Sequence, residues 1–275
     1  MYKRQVHIPD ILTAEEMTPL LATVRLGRTI YAYETVDSTN RRAKQLADEG
    51  APDGSLVIAE EQSAGRGRLG RAWTSPPKSG VWMSLLLRPQ AEVADLVLIT
   101  LICGLAVCEA LRDAAGVDAG IKWPNDVVVD GRKICGILTE MSAEAERITA
   151  LIPGIGINVG HREFPPELSD KATSLYLATG KLWRRAEIAA AVLNHLEPML
   201  DEYLRDGMSE GLLNRYRSRC VTLDREVLVI SRDGEKTGRA VDVTPDGKLV
   251  VEQPDGKRAE LFSGEVSVRG MLGYQ

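Results

Sequence analysis

The chain has 275 residues, 44% hydrophobic and 27% charged, with a net charge of −5. That profile fits a globular protein with one large domain, or one plus a small one, and argues against a protein that coats nucleic acid through a basic face. The four cysteines, Cys103, Cys108, Cys135 and Cys220, show no CxxC spacing and read as buried free thiols of a reducing compartment. No apolar stretch near the start resembles a signal peptide, and the longest apolar run, residues 96–108, is too short to cross a bilayer. A cytoplasmic location is expected.

In chain order, Thr13-Ala-Glu-Glu16 is a capping-box pattern that opens a short helix, set apart from the rest of the chain by Gly27. Residues 36–40 lead into a second helix that Ser38 or Thr39 can cap. Ala43, Leu46 and Ala47 give it an apolar face and Gly50 stops it. Residues 55–60 and 81–87 read as strands. Residues 94–115 form a long apolar helix that ends at Gly116. Pro124 holds Trp123 extended before a strand over 127–129, a turn at Asp130-Gly131 and a return strand over 133–140. A strand over 148–152 ends in Gly154-Ile-Gly156-Ile-Asn158-Val-Gly160. Residues 187–206 form an amphipathic helix with a kink expected at Pro198, stopped by Gly207, and a further helical segment runs to about 217. After Cys220, short β-type runs over 226–230, 240–244, 249–253 and 266–269 alternate with Asp-Gly and Pro-Asp-Gly turns, which suggests a small barrel and a boundary near 219.

Chemistry must be found without histidine. His7, His161 and His195 are not at ligand spacing, and the serine-hydrolase, zinc-protease and P-loop signatures are absent. The cations are concentrated instead in Gly65-Arg66-Gly67-Arg68-Leu69-Gly70-Arg71, three arginines and three glycines in seven residues. Arginine presents a planar fork of donors to carboxylate or phosphate, and glycine lets backbone approach a ligand. Alone, the segment fits a flexible RG-rich linker about as well as an anion cradle; its place between two strands favours the cradle. Trp73, just beyond it, can pack or can stack on a base. Lys122-Trp-Pro-Asn125-Asp126 is equally a solvated turn or a polar cluster at a strand end. Lys133 alone reads as a solvated lysine, though Gly136 would let a ligand approach its strand. The Gly154–Gly160 spacing is GxGxxxG with no helix after it, so a dinucleotide site is not supported, and the glycines mark close backbone contact.

Taken together and in order, Asp37-Ser38-Thr39-Asn40, Glu61-Gln62-Ser-Ala-Gly65-Arg66-Gly67-Arg68 with Arg71 and Trp73, Lys122-Trp-Pro-Asn125-Asp126, Arg132-Lys133-Ile-Cys-Gly136 and Gly154-Ile-Gly156-Ile-Asn158 resemble the biotin–protein ligases, over residues 29–270. The resemblance implies an α+β fold. Its parts are a central mixed β-sheet domain flanked by helices, akin to class II aminoacyl-tRNA synthetases, and a C-terminal SH3-like β-barrel. The corresponding division is 1–28 (N-terminal helical segment), 29–219 (catalytic) and 220–275 (barrel).

The implied reaction uses ATP and Mg²⁺ to form biotinyl-5′-AMP, then passes biotin to a lysine of the biotin carboxyl carrier protein of acetyl-CoA carboxylase. By motif match, Ser38, Thr39, Asn40, Gln62, Gly65, Arg66, Gly67, Arg68, Lys133, Gly136, Gly154 and Gly156 bind biotin, and Lys133, Arg68 and Arg66 carry catalysis. Arg71, Trp73, Lys122, Asn125, Asp126, Asn158 and Arg269 bind ATP, with Asp126 toward Mg²⁺. A carboxylate attacking a polyanion needs cations rather than a general base, which suits a site without catalytic histidine. The acyl-adenylate is water-sensitive, so residues 63–71 are expected to order over it. Some relatives carry an N-terminal winged helix-turn-helix. Fewer than thirty residues stand there in this chain, so a ligase without DNA binding is expected. Lipoate–protein ligase and a noncatalytic biotin-sensing regulator are the alternatives. The resemblance leaves monomer and homodimer open and gives no reason to expect membrane association.

Overall fold

The computed structural model describes residues 10–88, 95–144, 147–231, 234–263 and 267–270. A seven-stranded mixed sheet forms the centre, built from β1 (Ile30–Val36), β2 (Ser55–Gln62), β3 (Gly80–Leu86), β4 (Gly120–Lys122), β5 (Asp126–Val129), β6 (Arg132–Glu144) and β7 (Arg147–Asn158). Its spatial order is β1-β2-β3-β7-β6-β5-β4, with β1 and β2 parallel and every other pair antiparallel.

Both faces of this sheet are covered, which is why the middle strands read as continuous apolar runs. On β2, Leu56 and Ile58 join the large core beneath α3 (Asp95–Ala115) and α5 (Arg185–Asp206). Val57 points the other way, into a smaller core with Ala43, Leu46 and Ala47 of α2 (Thr39–Asp48). The alternation is that of a strand with side chains on opposite faces. No helix among the described residues is long and apolar enough to cross a membrane. The four cysteines are free and buried, and burial alone pushes the Cys103 thiol up to about 12.

The first described segment packs into the main core rather than standing apart at Gly27. Thr13 caps the short helix α1 (Ala14–Met17), and Leu12, Met17 and Leu26 are buried in the same core as α5. The buried Arg185 fixes it further, donating from Nε to Asp10 at 2.8 Å and from Nη1 to Glu60 at 2.9 Å. One expectation about helices needs revision. Ser38 sits at the N-cap of α2 but makes no side-chain cap bond; Gln62 Oε1, brought in from β2, accepts from Thr39 N instead at 2.9 Å. The helix α5 runs unbroken through Pro198. Three elements were not legible as elements: β1, the short helix α4 (Leu175–Thr179) and a β-strand over Arg258–Leu261.

Helix α6 (Glu210–Arg219) leads into five antiparallel strands, β8 (Glu226–Ser231), β9 (Gly234–Val243), β10 (Leu249–Glu252), β11 (Arg258–Leu261) and β12 (Ser267–Gly270), in the order β11-β10-β9-β8-β12. This sheet is fastened to the central one at the β4 edge. Val221 N donates to Ile121 O at 2.9 Å, and the buried Trp123 indole donates to Gly247 O at 3.0 Å.

Candidate active site

The Arg/Gly segment is a folded loop between neighbouring antiparallel strands. Residues 63–79 leave β2 and return on β3, pinned by bridges between Gln62 and Ser75 and between Arg66 and Ala72. Trp73 N donates to Gly65 O at 2.9 Å and Gly67 N to Arg71 O at 2.8 Å. Gly65 is required here, because a Cβ would lie 2.2 Å from the Trp73 carbonyl oxygen. A single helical turn, Arg68–Gly70, forms the tip, with Leu69 at φ 56° and 68% exposed.

Beneath the loop is an open cleft, ≈ 470 Å³ with the solvent at its mouth counted in. It is lined by Ser38, Thr39, Asn40, Gln62, Arg66, Gly67, Arg68, Trp73, Asn125, Lys133, Gly136, Gly154 and Gly156, all singled out in the sequence. The floor is made by strand register. Gly136 of β6 pairs with Gly156 of β7, and Gly156 pairs with Trp82 of β3. These glycines leave space that other side chains take up. A Cβ on Gly156 would meet the Trp73 indole nitrogen at 2.6 Å, and one on Gly154 would meet Asn40 Oδ1 at 2.0 Å.

One end of the cleft is neutral and polar. Gln62 accepts from the Thr39 amide and hydroxyl and donates from Nε2 to Ser75 Oγ at 2.7 Å. The other end is cationic. Lys133 Nζ stands 2.7 Å from Asp126 Oδ1, an ion pair out of hydrogen-bond alignment, and 5.1 Å from the Trp73 ring centroid. Arg68 donates to Asn125 Oδ1 at 2.8 Å and to the Ser263 carbonyl of the C-terminal domain. Its burial lowers the guanidinium pKa, with Arg71 acting in the same direction and Asp126 against it, yet the group stays far from neutrality. The Trp73 indole N–H is buried with no hydrogen-bond partner, a donor left for something the cleft can hold.

The remaining sequence candidates lie outside the lining. Gly65 and Arg71 are in the loop's own backbone framework, Lys122 and Asp126 face each other across the β4–β5 pair, and Asn158 donates to Thr173 O at 3.1 Å. Arg269 falls in β12, and its side chain lies outside the described residues. Lining residues that the sequence did not point to are Trp82, Met83, Ile137, Leu138 and Ile155. Ile137, Leu138 and Ile155 sit on β6 and β7 beside Gly136, Gly154 or Gly156, so strand alternation was the available signal there, whereas Trp82 and Met83 join the lining only through the pairing of β3 with β7.

The sequence matches the Biotin/lipoate A/B protein ligase family over residues 32–158 and the Biotin protein ligase C terminal domain over residues 222–269. It is 35% identical to the bifunctional ligase/repressor BirA of Bacillus subtilis, across 96% of this chain and 82% of the relative. The chain belongs to the biotin protein ligase family. It is also 32% identical to the biotin–[acetyl-CoA-carboxylase] ligase of Mycobacterium tuberculosis, over 83% of this chain and 85% of that one. Among solved structures, biotin protein ligase from Aquifex aeolicus in complex with biotin and ATP superposes with a TM-score of 0.79 at 35% identity, covering 88% of this chain and 99% of the other. Both domains of this biotin protein ligase family member therefore have counterparts: the helix-flanked mixed sheet and the C-terminal antiparallel sheet.

Proposed function

We propose that the cleft joins biotin to AMP and then delivers the biotinyl group to a lysine of a biotin carboxyl carrier domain of acetyl-CoA carboxylase. ATP-dependent biotin ligation is the activity of the family to which the chain belongs. The observation that carries the site reading is the polarity of the cleft: the Thr39–Gln62 end offers neutral donors and acceptors, and the Arg68 and Lys133 end offers cations.

The ureido ring of biotin fits the neutral end, where amide and hydroxyl groups can match its N–H and C=O. Its carboxylate then lies toward the cations. A carboxylate oxygen attacks the α-phosphorus of ATP, the bond to the bridging oxygen breaks, and pyrophosphate leaves with that electron pair. Lys133 and Arg68 offset repulsion between the two anions and the charge that develops on phosphorus, the role preorganised donors fill best in a water-poor site. In the second step the neutral acceptor amine attacks the acyl carbon, the C–N bond forms, AMP departs and the amine loses a proton. Asn125, held by Ile137 O and by Arg68, supports the nucleotide end.

Among the described residues no three His, Cys, Asp or Glu side chains converge as a metal cage. Asp126 alone fits the way magnesium is held by one carboxylate plus substrate phosphates. Mg²⁺ on ATP would supply further charge neutralisation, and Asp126 would be a protein contact for it.

The test is to incubate the protein with biotin, MgATP and an apo carrier domain and to weigh the carrier. A mass gain of one biotinyl group, lost when the carrier's target lysine is replaced, is expected. A gain with lipoate and none with biotin would overturn the substrate.

A further inference from the structure

Glu140 stands on β6 in step with Gly136 and Leu138 and has no part in the two steps of the proposed reaction. Its carboxylate gathers donors from two other elements. Asn40 Nδ2 donates to Oε2 at 2.9 Å, Lys44 Nζ lies 3.3 Å from Oε1, and Arg66 Nη1 of the loop lies 3.4 Å from the same oxygen. Glu140 is 15% exposed where Arg66 is 48% exposed, so a largely buried anion faces a half-exposed loop cation.

The anchor also connects to the cleft floor. Asn40 spends its second amide proton on Leu138 O at 3.0 Å, and its Oδ1 accepts from Ser84 Oγ at 2.6 Å. Ser84 Oγ is 2.8 Å from Thr39 Oγ1, which is 3.1 Å from Gln62 Oε1. Two hydroxyl protons serve these three contacts, so a ligand that bonds Thr39 decides how they are shared. Gln62 closes the circuit on Ser75, in the returning arm of the loop. A run of polar contacts thus leaves the loop at Arg66, passes under the neutral end of the cleft, and re-enters the loop past the tip.

We propose that Glu140 is a positioning residue that holds Arg66 and so keeps the loop shut on the acyl-adenylate until the acceptor arrives. The proposal rests on the adenylation reading of the cleft. Electrostatics supports it: although desolvation raises the Glu140 pKa, the Asn40 hydrogen bond and the Lys44 and Arg66 charges outweigh it and hold the carboxyl below its usual range, so the anchor is an anion at neutral pH.

The experiment loads the full chain with biotin and MgATP, without acceptor, and follows biotinyl-AMP appearing free in solution. Glu140→Gln keeps size and an acceptor for Asn40 but removes the charge. Its release rate is expected to rise about three- to tenfold, the scale of one half-buried charged contact, while each site still forms one adenylate. Arg66→Gln, in the exposed loop where folding is not at stake, should give the same acceleration, and the double variant no more than either. Lys44→Met removes another partner of the same carboxylate and should release at the wild-type rate.

Release at the wild-type rate from both Glu140→Gln and Arg66→Gln would overturn the inference, as would multiplicative effects in the double variant or equal acceleration in Lys44→Met. A wild-type protein that forms no adenylate would instead overturn the adenylation reading, and the inference with it.

Discussion

Lys133 and Asp126 form an ion pair of 2.7 Å across the β5–β6 hairpin, at the edge of the floor where Gly136 leaves the strand bare. The pair holds the ammonium beside the Trp73 ring and at the cationic end of the cleft. With its side chain 30% exposed, Lys133 contributes little to the core, so Lys133→Ala should fold. Its biotin-dependent ATP–pyrophosphate exchange should fall about 10²- to 10³-fold, the usual loss when one preorganised donor to a developing anion is removed. Exchange within a few fold of wild type would exclude Lys133 from the first step.

The loop carries Arg66 and Arg71 where a protease can reach them. Arg66 is 48% exposed, Leu69 68%. Trypsin should cut after Arg66 or Arg71 in the free protein, and biotin with MgATP should slow those cuts while leaving cleavage elsewhere unchanged. Cutting at one rate with and without both substrates would show that the loop does not order over the ligand.

Gly154→Ala probes the floor. The added Cβ would lie 2.0 Å from Oδ1 and 2.8 Å from Cγ of Asn40, a short side chain already fixed by Leu138, Glu140 and Ser84. Asn40 must move or the strand must shift, at about 1–3 kcal/mol. Calorimetric titration should show weaker biotin binding with ATP binding close to wild type, alongside a lower melting temperature. Unchanged biotin affinity would place Asn40 outside the biotin end.

How far the sequence led depended on the range of each contact. Gly65, Gly154 and Gly156 could be singled out because each stands in a dense local motif, although the groups that a Cβ there would meet, Trp73 and Asn40, had to come from the fold. The long helix α3 was clear because it is apolar on nearly every face. In contrast β1, an edge strand with Tyr31 and Tyr33 packing on the small core and Ile30 on the large one, has no clean alternation to betray it. Glu140, Ser84 and Ser75 were invisible as site residues for a different reason. Each matters through a partner more than ten residues away, and only the packing of α2 on β3 and β6 and the Gln62–Ser75 bridge set those partners side by side. The Gln62 cap of α2 is the same case. A local rule named Ser38 or Thr39, and a strand-borne amide took the place.

A carboxylate of α5 makes the fold's acid limit testable. Glu197 is buried and accepts from three successive backbone amides, Val24, Arg25 and Leu26, the last two at 2.9 and 2.6 Å. Desolvation raises its pKa, but those three hydrogen bonds and the Arg25 charge outweigh it and set it below the usual 4.5. Since the folded value lies below the unfolded one, ionised Glu197 stabilises the fold fully above the unfolded pKa, and that contribution is lost as pH falls through the folded value. Glu197→Gln turns a charged acceptor into an amide facing three donors, at about 1–3 kcal/mol near pH 7. Denaturant unfolding should show the wild type well ahead at pH 7 and the gap closing as pH falls through the depressed native pKa, where the carboxylate is protonated. A gap that stays constant across that range would mean that the clamp on residues 24–26 acts by shape and not by charge.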